Sequence, residues 1–276
     1  MTGAWRTLIF GMGLLAAAPA LAQATQPSPD VKPIEPSKII LVGDSTTAVF
    51  GGWGPSFCGY HVTSFMACVN LARGGRSSGS YFTEGSWRIA LQEMQTKGYK
   101  NVWVTIQFGH NDQPGKPGRS TDLKTEFPAN LKRYVNEARA AGAKPILVTP
   151  LTRRMFDAGG KLQRDLDPWA DAVRKVAAEL HVPLIDLNAD SARVVQAMGP
   201  AVSDMLAETP PGVSTTDAPK AAASPYSTEV NDQPTAHVRL GFDHTHLGRA
   251  GADLFATMVT DELSKAVPDM RPLLVP

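Results

Sequence analysis

The chain has 276 residues, with 27 lysines and arginines against 26 aspartates and glutamates, so its formal net charge is +1. A balance this close to neutrality argues against nucleic acid or an anionic membrane surface as the main partner, because both are bound through clustered excess lysine and arginine. The length suits a single α/β domain, and the sequence leaves the oligomeric state open.

Residues 1–22 have the features of a secretory signal peptide. Arg6 supplies a positive charge, an apolar run covers residues 8–18, and small residues around Ala22 form a cleavage site. The apolar run is too short to span a bilayer comfortably, and Pro19 follows it directly. We therefore expect an exported protein, released into the periplasm or the medium after cleavage near Ala22, with no stable membrane association.

A proline-rich polar spacer at residues 23–37 precedes a single domain that we place at 38–276. Within that domain short apolar runs predict buried strands, at 39–42, 69–72, 102–108, 145–149 and 184–187. Amphipathic segments between and after them predict helices, at 86–97, 123–141, 168–180 and 247–266. This alternation predicts an α/β fold with a parallel sheet between helices, in which ligands collect at the carboxyl ends of the strands.

A serine closes the first predicted strand, in Gly43-Asp44-Ser45. We expect Ser45 to begin a helix, where free N–H groups and the helix dipole favour an oxyanion. Ser45 is therefore a candidate nucleophile. A serine after a strand is more commonly a helix N-cap, and the sequence around it lacks the Gly-x-Ser-x-Gly motif of the α/β-hydrolases.

Glycines and an asparagine follow the next two predicted strands. Gly74 and Gly75 allow backbone N–H groups to approach a reacting carbonyl oxygen, although a plain turn would use them equally well. The Asn111 side chain is a neutral donor that can serve an oxyanion, although Asn-Asp is also ordinary turn composition. Both segments are candidates for an oxyanion hole.

Two arginines and two histidines beside these segments are candidate substrate contacts. Arg73 and Arg76 can bind a carboxylate of the substrate or pair with local acids, and the pattern does not separate these roles. His110 and His244 are further candidates, although a histidine at position 110 more commonly packs or forms local hydrogen bonds.

An acid and a base, Asp243 and His246, stand three residues apart near the C-terminus. A serine nucleophile needs such a base, and the base needs a carboxylate to hold its tautomer. His244 competes for the role of base, since only one of the two histidines can face Ser45. With His237 these residues could instead ligate a metal, but the serine, glycine and asparagine motifs would then have no role.

Two further features bear on the domain. Cys58 and Cys68 are the two cysteines, and export favours a disulfide between them, with two buried free thiols as the alternative. Residues 203–241, rich in proline, alanine, serine and threonine, form a long insertion. A loop of this length is either a flap that shapes the substrate cleft or a surface insertion without catalytic consequence.

The four motifs, in this order and spacing, resemble the SGNH (GDSL-type) hydrolases over residues 38–266. The strings Gly-Asp-Ser-Thr-Thr-Ala, Gly-Gly-Arg-Ser-Ser, Phe-Gly-His-Asn-Asp and Asp-His-Thr-His resemble the rhamnogalacturonan acetylesterase subgroup, which removes O-acetyl groups from pectin. The resemblance implies a flavodoxin-like three-layer α/β/α sandwich around a five-stranded parallel sheet, with no metal or organic cofactor.

Residue roles follow from the same resemblance. It implies that Ser45 is the nucleophile, that His246 is the base and that Asp243 orients it. The oxyanion hole would consist of the Ser45 N–H, the Gly75 N–H and the Asn111 side chain.

The sequence thus predicts a secreted serine esterase that acts on acetylated plant cell-wall polysaccharide through an acetyl-Ser45 intermediate. Rhamnogalacturonan is the favoured substrate, and acetylated xylan is the alternative. Lipases and thioesterases share the framework but need an apolar acyl groove. A carbohydrate-binding protein with an inactive site would require one of the four motifs to be broken.

Overall fold

The computed structural model describes residues 34–212 and 242–276. The predicted signal peptide, most of the predicted spacer and residues 213–241 of the predicted insertion lie outside the described residues. His237, which the sequence offered as a possible metal ligand, lies there as well.

Five parallel strands form one sheet in the order β2-β1-β3-β4-β5. The strands are β1 (Ser37–Gly43), β2 (Met66–Asn70), β3 (Val102–Gln107), β4 (Lys144–Val148) and β5 (Leu184–Ile185). The predicted α/β class with a five-stranded parallel sheet is confirmed. β2 ends earlier than the predicted 69–72 because the Asn70 side chain accepts a hydrogen bond from the Ala72 N–H (3.0 Å) and turns the chain away.

Helices connect and cover these strands. They are α1 (Gly54–Tyr60), α2 (Ser80–Thr83), α3 (Ser86–Met94), α4 (Glu126–Ala140), α5 (Asp167–Glu179), α6 (Leu187–Asp204) and α7 (Arg249–Ala266), followed by a 3-10 helix at Pro268–Leu273. The predicted helices correspond to α3, α4, α5 and α7, whereas α1, α2 and α6 were not predicted. α6 is interrupted at Gly199, whose φ is +70°.

The interior strand β1 is buried along its whole length and separates two cores. Ile39 and Leu41 pack into one core with α1, α6 and α7, and Ile40 and Val42 pack into the other with α3, α4 and α5. A strand covered on both faces has to be apolar on both faces, which explains its continuous apolar run. The result is a three-layer α/β/α sandwich.

The parallel arrangement places the carboxyl ends of β1, β2 and β3 side by side, and the loops that follow them carry three of the four sequence motifs. The fourth motif lies just before α7. In the described parts of the chain, no helix is long and apolar enough to cross a membrane.

Candidate active site

Ser45 lies in a tight turn directly after β1, with its side chain almost buried. The turn is held from within by Asp44, whose Oδ1 accepts hydrogen bonds from the Thr46 N–H (2.9 Å) and the Thr46 hydroxyl (2.8 Å). Gly43 permits the turn to pack on β3, because a Cβ at this position would lie only 2.8 Å from the Gln107 carbonyl oxygen.

The expectation that Ser45 begins a helix is wrong, because α1 starts only at Gly54. The intervening residues are fixed by side chains instead. The Gln107 amide donates to the Thr46 hydroxyl (2.7 Å) and accepts from the Trp53 indole (2.9 Å). An oxyanion beside Ser45 would therefore meet individual N–H groups of a turn, without the dipole of a helix.

Ser45, His246 and Asp243 form one hydrogen-bonded line. The Nε2 atom of His246 is 2.8 Å from the Ser45 Oγ, and its Nδ1 atom is 3.0 Å from the Asp243 Oδ2. The Asp243 Oδ1 accepts hydrogen bonds from the backbone N–H groups of Thr245 and His246, both at 2.7 Å. Burial opposes the ionisation of Asp243, but the hydrogen bonds from His246 and Thr245 outweigh it and hold the pKa of this carboxyl well below its ordinary value.

The two other predicted oxyanion-hole residues are joined to each other through their loops. The Asn111 amide donates to the Arg76 carbonyl (3.0 Å), which follows Gly75 directly. This leaves the second N–H of the Asn111 amide available. Neither the Ser45 N–H nor the Gly75 N–H donates a hydrogen bond to another described residue.

The two arginines that were predicted as substrate contacts differ in their surroundings. Arg76 is bound to Glu84, with Nε 2.7 Å from the carboxylate, and also donates to the Gly74 carbonyl. Arg73 is exposed, and its backbone N–H donates to the Gly43 carbonyl (3.0 Å), which places it next to the end of β1. Of the two, Arg73 is the cation that a ligand can reach.

The histidine that contacts the Ser45 hydroxyl is His246, and the two histidines that were predicted as substrate contacts have other partners. His110 is buried, and its Nδ1 atom is 3.4 Å from the Asp44 Oδ2. This burial argues against direct contact with a polysaccharide. His244 is about half exposed, packs edge-on against the Phe242 ring at 4.7 Å and lies 3.5 Å from the Asp204 carboxylate.

Two buried carboxylates, Asp44 and Asp112, lie next to site residues in the chain. Burial opposes the ionisation of Asp44, but His110 and the hydrogen bonds from Thr46 outweigh it, so the pKa of Asp44 is lowered. Asp112 accepts hydrogen bonds from the Ser78 hydroxyl (2.6 Å) and the Thr121 hydroxyl (3.0 Å). Burial is the larger effect here and raises the pKa of Asp112 to about 7.

Two arginines that the sequence did not single out contact the site residues. Arg154, in the loop after β4, is buried and binds the turn that carries Asp243 and His246. Arg119 lies 3.5 Å from both the Gly75 carbonyl and the Asn111 Oδ1. The one sequence signal for Arg154 is its position after a predicted strand, where ligand-binding residues collect.

The two cysteines are joined by a disulfide that links α1 to β2. Within residues 34–212 and 242–276 there is no group of three or more histidine, cysteine, aspartate or glutamate side chains that could hold a metal ion.

A parallel α/β sheet with a hydrogen-bonded serine, histidine and aspartate at its carboxyl edge is the framework of an ester hydrolase. The chain belongs to the GDSL-like lipase/acylhydrolase family, which matches residues 41–254. It is therefore an enzyme of the carboxylic ester hydrolase class, and its predicted resemblance to the SGNH hydrolases is confirmed.

Curated relatives of the chain come from Bacillus subtilis strain 168. It is 37% identical to the rhamnogalacturonan acetylesterase RhgT over 179 residues, which is 62% of this chain and 74% of that protein. It is also 37% identical to the probable rhamnogalacturonan acetylesterase YesY over 156 residues, covering 54% of this chain and 69% of that protein.

Solved structures share the fold. The Bacillus subtilis protein YxiM matches with a TM-score of 0.61 at 24% identity, over 85% of this chain and 58% of the YxiM chain. A catalytic mutant of Axe2, an acetylxylan esterase from Geobacillus stearothermophilus, matches with a TM-score of 0.54 at 17% identity, over 84% of this chain and 96% of that chain. At these identities the likeness establishes the architecture alone.

Proposed function

We propose that this protein is an exported serine esterase that removes O-acetyl groups from a plant cell-wall polysaccharide, with rhamnogalacturonan as the preferred polymer. The observation that carries the proposal is the line from the Asp243 carboxylate through His246 to the Ser45 hydroxyl, with contacts of 3.0 and 2.8 Å. The 37% identity to RhgT and YesY supports the choice of substrate.

The first chemical step is attack by the Ser45 hydroxyl on the acetyl carbonyl. Because the lowered pKa keeps Asp243 ionised at neutral pH, the imidazole proton stays on Nδ1 and Nε2 is free to accept. His246 takes the hydroxyl proton as the Ser45 Oγ bonds to the carbonyl carbon. Asp243 stabilises the imidazolium that results.

Negative charge then develops on the carbonyl oxygen, and three donors are available to it. They are the Ser45 N–H, the Gly75 N–H and the free N–H of the Asn111 amide. A single donor of this kind typically contributes about 3–4 kcal/mol to the lowering of the barrier. None of the three changes its protonation state, so the hole is ready before the reaction starts.

Collapse of the tetrahedral intermediate expels the sugar hydroxyl, which leaves with the proton held by His246. The acetyl group remains on Ser45 as an ester. Water then enters, His246 takes a proton from it, and the same steps release acetate and restore the Ser45 hydroxyl.

The substrate class has support from one exposed cation. Arg73 lies beside the end of β1, and a rhamnogalacturonan backbone carries a galacturonate carboxylate on every second sugar. A guanidinium binds such a carboxylate through two parallel hydrogen bonds. Acetylated xylan, in which the backbone sugars are uncharged, offers no equivalent partner.

Export has support from two features of the chain and from the size of the proposed substrate. The signal-peptide pattern of residues 1–22 predicts it, and the disulfide between Cys58 and Cys68 fits an oxidising compartment. A polysaccharide too large to enter the cell would also require an enzyme outside the cytoplasm.

The test is acetate release from acetylated rhamnogalacturonan and from acetylated xylan, measured side by side with a soluble acetate ester. Ser45→Ala is the variant, and Ser264→Ala, which removes a hydroxyl from α7 outside the site, is the control. We expect release from the pectic polymer by wild type and the control, and none above background by Ser45→Ala.

Three outcomes would contradict the proposal in different ways. Near-wild-type turnover by a folded Ser45→Ala variant would exclude the serine mechanism. Faster acetate release from xylan than from rhamnogalacturonan would be consistent with the serine mechanism but would identify acetylated xylan as the preferred substrate. Efficient cleavage of butyrate and longer esters would indicate a lipase-like acyl groove instead of an acetyl pocket.

A further inference from the structure

The turn that carries Asp243 and His246 does not follow a strand, unlike the other site residues. Ser45, Gly75 and Asn111 each lie in a loop that follows a strand. The sheet therefore fixes the point at which each of these loops begins. Residues 243–246 precede α7 and belong to neither a strand nor a helix. Their position has to come from contacts with the rest of the fold.

One buried residue contacts the backbone of this turn at every position. The Arg154 guanidinium donates to the carbonyls of Asp243 (2.9 Å), His246 (2.8 Å) and, more weakly, Thr245 (3.4 Å). The Arg154 backbone N–H donates to the carbonyl of His244 at 2.8 Å. Four consecutive carbonyls therefore point at one residue.

Among the described residues, the other backbone–backbone hydrogen bonds made to this turn lie at its C-terminal end. The Leu247 N–H donates to the Gly51 carbonyl (2.9 Å), and the Glu208 N–H donates to the His246 carbonyl (3.2 Å). Neither reaches the carbonyls of residues 243–245. Arg154 follows β4, so it connects the turn to the central sheet, as the strand ends do for the other site residues.

We propose that Arg154 is the positioning residue of the acid–base turn, and this inference rests on the proposed role of Asp243 and His246. The N–H groups of Arg154 donate to the carbonyls of the turn. The Asp243 carboxylate accepts hydrogen bonds from two N–H groups of the same turn, those of Thr245 and His246. Because both the carbonyls and the N–H groups of the turn are hydrogen-bonded, its peptide planes are fixed. This also fixes the direction from which the His246 imidazole approaches the Ser45 hydroxyl.

Arginine suits this task better than lysine. Its guanidinium is planar and presents several N–H donors in a rigid fork, so one side chain can serve three carbonyls. It also keeps its charge when buried, because its pKa is lowered by burial only to about 10. A lysine at this position offers one ammonium group and cannot reproduce the set of directions.

The experiment compares Arg154→Met and Arg154→Lys with wild type in the full mature chain. Steady-state kinetics on a soluble acetate ester separate kcat from KM. We expect Arg154→Met to lower kcat on the order of 10- to 100-fold with little change in KM, because a misplaced catalytic group slows the chemistry without weakening binding. The kcat of Arg154→Lys should lie between those of wild type and Arg154→Met.

A proton NMR spectrum gives a second readout that does not depend on turnover. The Nδ1–H of His246, hydrogen-bonded to Asp243, should give a resonance far downfield, and Asp243→Asn should remove it. We expect Arg154→Met to shift or broaden this resonance. A buried apolar truncation in α7, Val259→Ala, controls for general destabilisation and should leave both the resonance and kcat unchanged.

A folded Arg154→Met variant with wild-type kcat and an unshifted resonance would overturn the inference. If that variant does not fold, Arg154→Lys decides by the same two readouts. Failure of the proposed function would look different, since Ser45→Ala would then keep its activity. The imidazole resonance would still report whether Arg154 orients the turn.

Discussion

Gly51 lies against the proposed base, and its replacement by alanine gives a sharp test of how closely the site is packed. Its φ is +78°, in the left-handed region, and a Cβ built on it would lie 2.9 Å from His246 Cδ2. The Gly51 carbonyl also accepts the Leu247 N–H, so the backbone at position 51 cannot move away without breaking that bond. The imidazole has to move instead.

The size of the effect follows from these distances. To bring the contact from 2.9 Å to an ordinary 3.4 Å, the ring has to shift by about 0.5 Å. A shift along its bond to Ser45 would lengthen that bond from 2.8 Å to about 3.3 Å. Since a misplacement of about 1 Å can cost about 100-fold, we expect Gly51→Ala to lower kcat about tenfold.

Gly142→Ala is the matched control. Its φ is +84°, and a Cβ there would meet no atom within 4 Å. An alanine in the left-handed region costs roughly 1–2 kcal/mol at either position, so both variants should lose about 2–8 °C in Tm. Only Gly51→Ala should lose activity in an assay with a soluble acetate ester well below Tm.

A Gly51→Ala variant with the kcat of wild type and the same loss of Tm as Gly142→Ala would refute the predicted displacement of His246. Parallel loss of activity in both variants would refute it equally, because the effect would then be one of stability. A raised KM at unchanged kcat would place Gly51 against the substrate and not against His246.

Two further predictions concern the residues after β3. Asn111→Ala should lower kcat about 100- to 1,000-fold on a soluble acetate ester with a much smaller change in KM, because an oxyanion donor acts mainly in the transition state; equal effects on both constants would contradict its assignment. Asp112 has an ordinary pKa of 3.8 that is raised to about 7 in the folded protein, so the folded state holds its proton more tightly than the unfolded state. Its contribution to stability is therefore complete below about pH 4 and is lost as the pH rises to about 7, by up to about 4 kcal/mol. Asp112→Asn should flatten this part of the pH dependence in urea unfolding, and an unchanged slope would show that other groups cause it.

Much of the site could be predicted from the sequence because its residues follow apolar runs. A strand buried on both faces, such as β1, produces a continuous run of apolar residues in the sequence. The carboxyl ends of parallel strands lie at the same edge of the sheet. Ser45, Gly75 and Asn111 therefore had to lie near one another. The spacing alone left both His244 and His246 open as the partner of Ser45, because the two histidines lie within the same turn, and only the resemblance to the SGNH hydrolases favoured His246.

The rest depended on contacts between distant parts of the chain. Arg154 acts on carbonyls 89–92 residues away, and no local pattern encodes such a role. The turn after β1 replaced the predicted helix because Asp44 and Gln107 satisfy its polar groups with side chains. α6 begins at Leu187, which the sequence placed at the end of the predicted strand 184–187, and it is interrupted at Gly199 before it ends.

The disulfide has a practical consequence for anyone who produces this protein. Cys68 lies in β2, which is an edge strand of the described sheet, and Cys58 ties that strand to α1. Closing a loop of this length stabilises a chain by about 3 kcal/mol in the entropic treatment. Without that link an edge strand opens more readily and offers its free backbone to other chains. Expression in a reducing cytoplasm should therefore give more inclusion bodies and a lower soluble yield than secretion of the same chain. If a preparation precipitates in the presence of a thiol reductant, reduction of this disulfide is the first cause to test.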